Sequence, residues 1–262
     1  MKRIIIIGFL FLKFNFGFSQ IPFGGIEGLK DTSNFRDLRS QLKIQSLAIE
    51  FDSTYVAAYF KRAALHYQLG NYETCISEQN DIIKRFPDYI EDAYTNRGMS
   101  YCFLKKYDKA LADLNKARQL SPENAMNYLN LAFAKSCMQE YQLAIFDLDT
   151  AITLRPGYAK AFANRAYAKE QLKKYNEAIE DYNKALEIQP NYPEVYFNRG
   201  YVKFIMNKPE EAIADYNKAS EIFPAFLLSY DFYLYRSRAY EKKGDLVNSK
   251  LDLDIANELK KE

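Results

Sequence analysis

The sequence is poor in the residues that most often carry chemistry. Its 262 residues include no tryptophan, one histidine (His66) and three cysteines (Cys75, Cys102 and Cys137). One histidine and three cysteines leave almost no way to assemble a Cys/His zinc cluster. The chain has no P-loop, no G-x-G-x-x-G segment and no G-x-S-x-G motif. We therefore predict that the protein is not an enzyme and has no catalytic residues, no cofactor and no metal ligands, and that His66 is structural.

The sequence also lacks an excess of charge of either sign. There are 36 Lys and Arg against 34 Asp and Glu, so nothing favours a general attraction to nucleic acid or to an anionic membrane. Hydrophobic residues make up 48% of the chain, enough for a sizeable core. The composition therefore indicates a folded protein, and it does not identify the partner.

The N-terminus predicts export. Residues 1–19 combine two basic residues, an apolar run, and small residues at Gly17 and Ser19 before a cut at Gln20, which is typical of a secretory signal peptide. Because Lys13 interrupts the short apolar run, no membrane span is expected after cleavage, although an uncleaved anchor is the alternative. We expect a periplasmic or secreted protein. Three cysteines without paired spacing leave at least one thiol free.

A repeat follows, marked by prolines 34 or 35 residues apart. If each proline is position 32 of a unit, position 4 is aromatic and positions 8, 20 and 27 are mostly small. A sixth unit fits from Tyr230, after three extra residues (227–229). The prolines are Pro87, Pro122, Pro156, Pro190 and Pro224, and the position 4 aromatics that precede them are Tyr59, Tyr94, Tyr128, Phe162 and Tyr196.

This pattern resembles the tetratricopeptide repeat. The resemblance implies an all-α fold, a right-handed α-solenoid of about six helix-turn-helix repeats. Small residues let paired helices approach closely, the proline ends the second helix, and stacking buries the apolar faces that one hairpin leaves exposed. We number the repeats 1 to 6, and their predicted bounds are 56–90, 91–124, 125–158, 159–192, 193–229 and 230–262.

Residues 20–55 precede the repeats and divide in two. A Gly-rich stretch predicts a flexible lead, and apolar spacing predicts a helix near residues 35–50. We interpret this helix as an N-terminal cap on repeat 1.

Position 7 is arginine in five repeats and position 23 is acidic in all six. These side chains are expected to pair across each hairpin, because the guanidinium fork matches a carboxylate. Leu131 replaces the arginine in repeat 3. The arginines are Arg62, Arg97, Arg165, Arg199 and Arg236, and the acids are Glu78, Asp113, Asp147, Asp181, Asp215 and Asp252.

Position 6 is asparagine in four consecutive repeats: Asn96, Asn130, Asn164 and Asn198. This series is similar to the asparagine ladder of the O-GlcNAc transferase repeats, which holds extended polypeptide. The alternative is that asparagine is merely a tolerated polar residue there. Positions 5 and 9 add apolar and aromatic groups that would line the same concave groove: Met99, Leu129, Phe133, Tyr167, Phe197 and Tyr201. The sequence predicts a non-enzymatic interaction scaffold that binds an extended partner segment in this groove.

The last repeat departs from the others. Val247, Leu251 and Ile255 form an apolar i, i+4, i+8 stripe on a face that is polar in most earlier repeats. Either the inserted residues 227–229 turn this stripe inward, or it is an association surface. The second interpretation gives the alternative function, a structural subunit that assembles through its C-terminal end or convex face, possibly as a homo-oligomer.

Overall fold

The structure is a computed structural model that describes residues 32–260. The predicted signal peptide, residues 20–31 of the predicted lead, and residues 261–262 lie outside the described residues. Within residues 32–260 the chain is helical, without a β-strand, and each predicted repeat contains two helices. The predicted fold class, an all-α solenoid of tetratricopeptide repeats with an N-terminal helix, is confirmed.

The first helix, α1, spans Thr32–Phe51 and is longer than predicted. Two short 3₁₀ turns, Pro87–Tyr89 and Pro224–Leu228, follow the second helices of repeats 1 and 5. The helices of the repeats are α2 Val56–Gln68, α3 Tyr72–Arg85, α4 Ile90–Phe103, α5 Tyr107–Leu120, α6 Ala125–Cys137, α7 Tyr141–Leu154, α8 Ala159–Gln171, α9 Tyr175–Ile188, α10 Pro193–Ile205, α11 Pro209–Ile222, α12 Tyr230–Lys243 and α13 Leu246–Leu259.

Two compact halves make up the chain, one ending at Met138 and the other beginning at Gln139. In the N-terminal half, consecutive helices from α1 to α6 pack on one another, and α4 also contacts α6. In the C-terminal half, consecutive helices from α7 to α13 do the same, and α8 contacts α10. The first helices of repeats 2 and 3, and those of repeats 4 and 5, thus lie side by side, which brings equivalent positions of these repeats close together.

Position 8 sets how closely the two helices of a repeat approach. A Cβ atom added to Gly98 would lie 2.9 Å from the Cγ of Leu114, and one added to Gly200 would lie 3.0 Å from the Cε1 of Tyr216. Carbonyl oxygens of the second helices are also only 3.2 and 3.1 Å from these two positions. At Gly98 and Gly200 the second helix therefore lies so close that a Cβ atom would force a neighbouring group to shift.

The turn between the two helices of each repeat has one left-handed residue, always at position 15. Only two of the six are glycine, although β-carbon-bearing residues pay a steric cost at positive φ. In repeat 4, the N–H of Lys173 donates to the carbonyl of Glu170 (2.8 Å) and that of Lys174 to the carbonyl of Lys169 (2.9 Å), the Schellman arrangement that ends a helix. The residues are Gly70, Lys105, Gln139, Lys173, Asn207 and Gly244, with φ between 57° and 87°.

Replacing Lys173 by glycine should stabilise the protein. Glycine adopts a positive φ without the steric cost that lysine has there, although it also raises the conformational entropy of the unfolded chain, which offsets part of the gain. We therefore expect the free energy of unfolding to rise by about 0.5–1 kcal/mol. Urea unfolding measures it. The matched control is Lys174→Gly, an equally exposed lysine whose φ is −84°, where glycine should be neutral or destabilising. Equal effects of the two changes would show that the turn carries no conformational cost.

The arginine at position 7 pairs with the acid at position 23, as predicted. In repeat 4, Nε and Nη2 of Arg165 donate to the two carboxylate oxygens of Asp181 at 2.8 and 2.7 Å. Repeats 2, 5 and 6 show the same two-bond geometry, and in repeat 1 Arg62 pairs with Glu78 at 2.9 Å. The pairs are largely shielded from solvent, so they hold the two helices of a repeat in register.

In repeats 2, 4, 5 and 6 the arginine makes a third bond, which was not predicted. Nη1 reaches back to position 25 of the preceding repeat: Arg97 to Asn80 (2.6 Å), Arg165 to Asp149 (2.6 Å), Arg199 to Asn183 (2.7 Å) and Arg236 to Asn217 (2.9 Å). The arginine therefore joins neighbouring repeats as well as the helices of one. Where Leu131 replaces it, Asn115 at position 25 of repeat 2 donates instead to Leu111 of its own helix, at 2.8 Å.

Removal of this arginine should be costly. Arg165→Met leaves the buried Asp181 with only the Nζ of Lys169, at 2.8 Å, as its cation, and we expect a loss of about 1–3 kcal/mol in the free energy of unfolding. The comparison is Asp149→Ala, which removes only the exposed partner in the preceding repeat and should cost less than about 1 kcal/mol. Losses below 0.5 kcal/mol for both variants, by urea unfolding, would show that the network contributes little.

Candidate functional site

The predicted groove residues fall into two groups by burial. Asn164, Tyr167, Asn198 and Tyr201 are half-buried and lie on α8 and α10 of the C-terminal half; we call them the α8–α10 face. The others are almost fully buried, so they offer little surface to a partner: Asn96, Met99, Leu129, Asn130, Phe133 and Phe197.

The buried aromatic residues of this set pack within the array. Phe133 lies in one core cluster with Met99, with its ring centroid 6.0 Å from that of Phe103. Phe197 stacks on Phe226 at 5.4 Å and contacts Tyr216 at 5.3 Å. The Phe133 contact joins repeats 2 and 3, and Phe197 packs within repeat 5 and against Tyr235 of repeat 6 at 6.1 Å. Packing inside the array thus explains the apolar character of positions 5 and 9 without a ligand.

On the α8–α10 face, each asparagine is held by one bond. Asn164 Nδ2 donates to the carbonyl of Lys160, one turn earlier, at 3.0 Å. Asn198 hydrogen-bonds the hydroxyl of Tyr182, whose pKa burial raises well above its ordinary value although this bond opposes the shift. An amide side chain offers two hydrogens and an acceptor oxygen, so one bond leaves capacity for a ligand.

The tyrosines of this face are fixed by other rings. Tyr201 meets Tyr235 edge to face, with centroids 5.2 Å apart, and Tyr167 meets Tyr141 at 6.3 Å. Burial raises the pKa of Tyr201 to about 12, so its hydroxyl stays protonated at neutral pH. The face therefore presents rigid aromatic surfaces and neutral hydrogen-bonding groups.

A buried carboxyl group lies beside this face, and the sequence reasoning missed it. Glu170 accepts hydrogen bonds from the Tyr182 hydroxyl (2.9 Å) and from Nε2 of Gln171 (3.3 Å). Burial raises the pKa of Glu170 to about 8, which the Tyr182 hydrogen bond only partly opposes. The sequence does contain a signal for this residue, because Glu170 is an acid at position 12, where repeats 1, 2, 3 and 5 have none. Those four repeats have Tyr67, Cys102, Ser136 and Phe204 at this position.

Glu170 should make stability depend on pH. Between about pH 4.5, its ordinary pKa, and about pH 8, its folded-state pKa, the folded protein holds a proton that the unfolded chain has released. Stability therefore falls as pH rises through this window, by up to roughly 1.4 kcal/mol per pH unit. Glu170→Gln cannot ionise and should flatten that slope in urea unfolding from pH 5 to 8.

The control for this prediction is Glu180→Gln, which removes the same charge from an exposed position of α9. It should leave the slope of stability against pH as in the wild type. If the Glu170→Gln curve also ran parallel to wild type, Glu170 would titrate normally in the folded protein.

A second buried polar network also escaped the sequence reasoning. In the N-terminal half, Glu91 accepts hydrogen bonds from Nδ2 of Asn124 (2.9 Å) and Nδ2 of Asn127 (3.0 Å), and from the hydroxyl of Ser121. Asn127 also donates to the carbonyl of Ser121 at 3.1 Å. The network joins repeat 2 to repeat 3, so Asn127 is structural.

The thiols and the histidine are held in their neutral forms. All three cysteines are free, with Cys75 and Cys102 buried and Cys137 half-buried. Burial raises the pKa of Cys75 to about 11 and that of Cys137 to about 12, and burial lowers the pKa of His66. Within residues 32–260, no three His, Cys, Asp or Glu side chains are placed to hold a metal ion, and no helix there is long and apolar enough to cross a membrane.

The apolar stripe of the last helix, α13, lies on the surface. Val247 is 80% exposed, Leu251 57% exposed, and Ile255 half-buried. The interpretation that residues 227–229 turn this stripe inward is therefore wrong for Val247 and Leu251. Leu246, beside Val247, extends the exposed apolar surface.

Comparison with known protein families places the chain in a class. A model described as "Tetratricopeptide repeat" matches residues 91–124 and 193–226, and one described as "TPR repeat" matches residues 171–205. These matches identify tetratricopeptide repeats within residues 91–124 and 171–226, and the helix pairs of residues 32–260 have the architecture of a tetratricopeptide-repeat solenoid. No curated protein sequence matches it.

Solved structures of similar fold are tetratricopeptide-repeat proteins. A tetratricopeptide repeat protein from Parabacteroides merdae is 19% identical, with a TM-score of 0.62 and 87% of this chain and 88% of that one covered. The Cut9-Hcn1 structure of the APC/C is 18% identical, with a TM-score of 0.67 and coverage of 85% and 43%. MamA from Desulfovibrio magneticus is 17% identical, with a TM-score of 0.58 and coverage of 65% and 95%. At these identities the likeness establishes the fold alone.

Proposed function

We propose that this protein, a tetratricopeptide-repeat scaffold for protein–protein interaction, binds an extended segment of its partner on the α8–α10 face. The observation that supports this most is the partial exposure of Asn164, Tyr167, Asn198 and Tyr201 on adjacent first helices, when the other predicted groove residues are buried. They combine the amide groups that bind a peptide backbone with aromatic surfaces that hold side chains.

The physical basis is a division of roles. Asparagine amides donate to and accept from backbone groups whatever the partner's sequence, so they give affinity for extended chain. Tyrosine supplies large rigid contact area at low entropic cost, with a hydroxyl to satisfy polar groups. Because the tyrosines are fixed by Tyr141 and Tyr235, binding would not have to order them.

Asn164→Ala should weaken partner binding about five- to tenfold, the effect of losing one or two hydrogen bonds to a peptide. The measurement is titration calorimetry with a partner recovered by pull-down from the cell envelope. The matched control is Asn115→Ala. Asn115 is also half-buried and also donates to a carbonyl one turn earlier (2.8 Å), but it lies on a second helix.

The control separates binding from folding. Both substitutions remove one intrahelical bond, so their small effects on melting temperature should match, and only Asn164→Ala should lose affinity. If both variants bind the partner as wild type does, the α8–α10 face is not the binding surface. If Asn164→Ala alone loses helicity, this asparagine is structural.

A second candidate function is assembly as a structural subunit. The exposure of Val247 and Leu251 favours it, since adjacent exposed apolar side chains on one helix face commonly mark an interaction surface. In this role the protein would bind through α13 and would not need the α8–α10 face.

We also propose that the protein acts after export, in the periplasm or outside the cell. The basic start, the apolar run and the small residues Gly17 and Ser19 support this. Fractionation with N-terminal sequencing tests it. The expected result is a mature chain beginning at Gln20, whereas an intact N-terminus in the membrane fraction would show an anchor.

A further inference from the structure

A second exposed apolar stripe lies on α1. Ile44 is 59%, Leu47 54% and Phe51 97% exposed, at i, i+3 and i+7 spacing on one side of the helix. On another side, Leu38 is buried and Ile49 packs against the core cluster of Tyr59 and Phe60 in repeat 1. The helix thus has one apolar face that packs on repeat 1 and a second apolar face that is exposed to solvent, which we call the open face. A helix that served only to cap the array would instead have a polar outer face.

The charges beside the two open stripes are opposite in sign. On α1, the exposed Arg39 and Lys43 precede Leu47 by two turns and by one. On α13, the exposed Asp254 and Glu258 follow Leu251 by one turn and by two. An antiparallel pairing that sets Leu47 opposite Leu251 therefore brings basic residues of one helix to acidic residues of the other.

The same pairing matches the apolar residues. With Leu47 opposite Leu251, Phe51 falls opposite Val247, and Ile44 falls opposite Asp254 and its neighbour Ile255. α1 has two exposed acids, Asp37 and Glu50. Glu50 falls opposite Asn248, and Asp37 falls past Leu259, the last residue of α13, so the pairing sets neither directly opposite an acid of that helix. The two stripes are complementary in length, in apolar content and in the order of charge.

We propose that α13 of one molecule docks antiparallel on α1 of a second copy of this chain, in a head-to-tail contact. The inference rests on the second candidate function and names the partner surface. A contact of α13 with α13 would cover the same stripe but would leave the open face of α1 uncovered. In the head-to-tail contact each molecule uses both surfaces once, so each added molecule leaves one free surface of each kind, and growth continues as an open chain unless its geometry closes a ring.

The test uses one block on each surface. Leu47→Glu blocks α1 and Leu251→Glu blocks α13, both at positions already more than half exposed. In sedimentation velocity the wild type should form species larger than a dimer that grow with concentration. Each variant alone should sediment as a monomer. An equimolar mixture should give a dimer and nothing larger, because each variant keeps the surface that the other lacks.

Two controls exclude loss of folding and a general effect of charge. Both variants should keep the wild-type circular dichroism and melting temperature. Phe146→Glu, at an exposed apolar residue of α7 outside both stripes, should associate as wild type does.

A charge exchange is a milder second test. Lys43→Glu or Asp254→Lys alone should weaken association a few-fold. When the two variants are mixed, α1 of the Lys43→Glu variant can pair with α13 of the Asp254→Lys variant, which restores opposite charges, so this contact should regain wild-type affinity.

Three results would overturn the inference, and they differ from one another. A wild type that is monomeric at all concentrations removes the assembly function itself. A wild type that associates while Leu47→Glu associates equally well shows assembly without α1, for example α13 on α13. Two monomeric variants whose mixture stays monomeric show that the blocked residues do not form one contact.

Discussion

The arginine at position 7 is the contact on which the stacking of repeats depends. Its fork binds the acid of its own second helix and its remaining nitrogen binds position 25 of the repeat before, so a single side chain fixes two interfaces. The bonds are short and largely shielded from solvent, where charge-assisted hydrogen bonds are strongest. Repeat 3 has Leu131 instead, and the two halves of the chain divide in sequence within that repeat.

The tight spacing of helices complements this polar network. Position 8 is small and fully buried, and glycine occurs there where Leu114 or Tyr216 would meet any Cβ atom. Close packing on one side and a fixed arginine on the other leave the first helices with little freedom to shift. Groups such as Asn164 and Tyr201 are therefore held by a rigid support, as recognition of a flexible chain requires.

Much of the fold could be predicted from the sequence, because a 34-residue period carries its own register. Repeated positions such as Tyr59, Ala132 and Pro156 specify helix pairs, and the Arg165–Asp181 pair followed from residue type and recurrence. The site was harder. Asn96 and Asn164 occupy the same position of their repeats, yet one is buried and the other half-buried. Burial depends on the size of side chains from neighbouring helices, which the period does not encode.

Departures from the period were the signals that sequence reasoning passed over. Glu170 at position 12 and Asn127 at position 3 are polar residues at places where other repeats are mostly apolar, and both prove to be buried members of hydrogen-bond networks. The open face of α1 escaped for another reason. Apolar residues at helical spacing predict a face that packs on repeat 1, but α1 carries further apolar residues, among them Ile44 and Leu47, and only the structure shows that these are exposed.

The left-handed turns have a consequence for how the array opens. Position 15 is glycine only in the first and last repeats, at Gly70 and Gly244, and the four repeats between them hold Lys, Gln or Asn there. The last repeat has a stacked repeat on one side only, and repeat 1 has only the single helix α1 on its outer side, so both receive less stabilisation from neighbours than the repeats between them. In these two repeats the glycine at position 15 adopts its positive φ without steric cost, which offsets part of the missing stabilisation. The free energy of local opening is thereby more even along the chain than identical repeats would give, which favours unfolding as one cooperative unit over fraying from the ends.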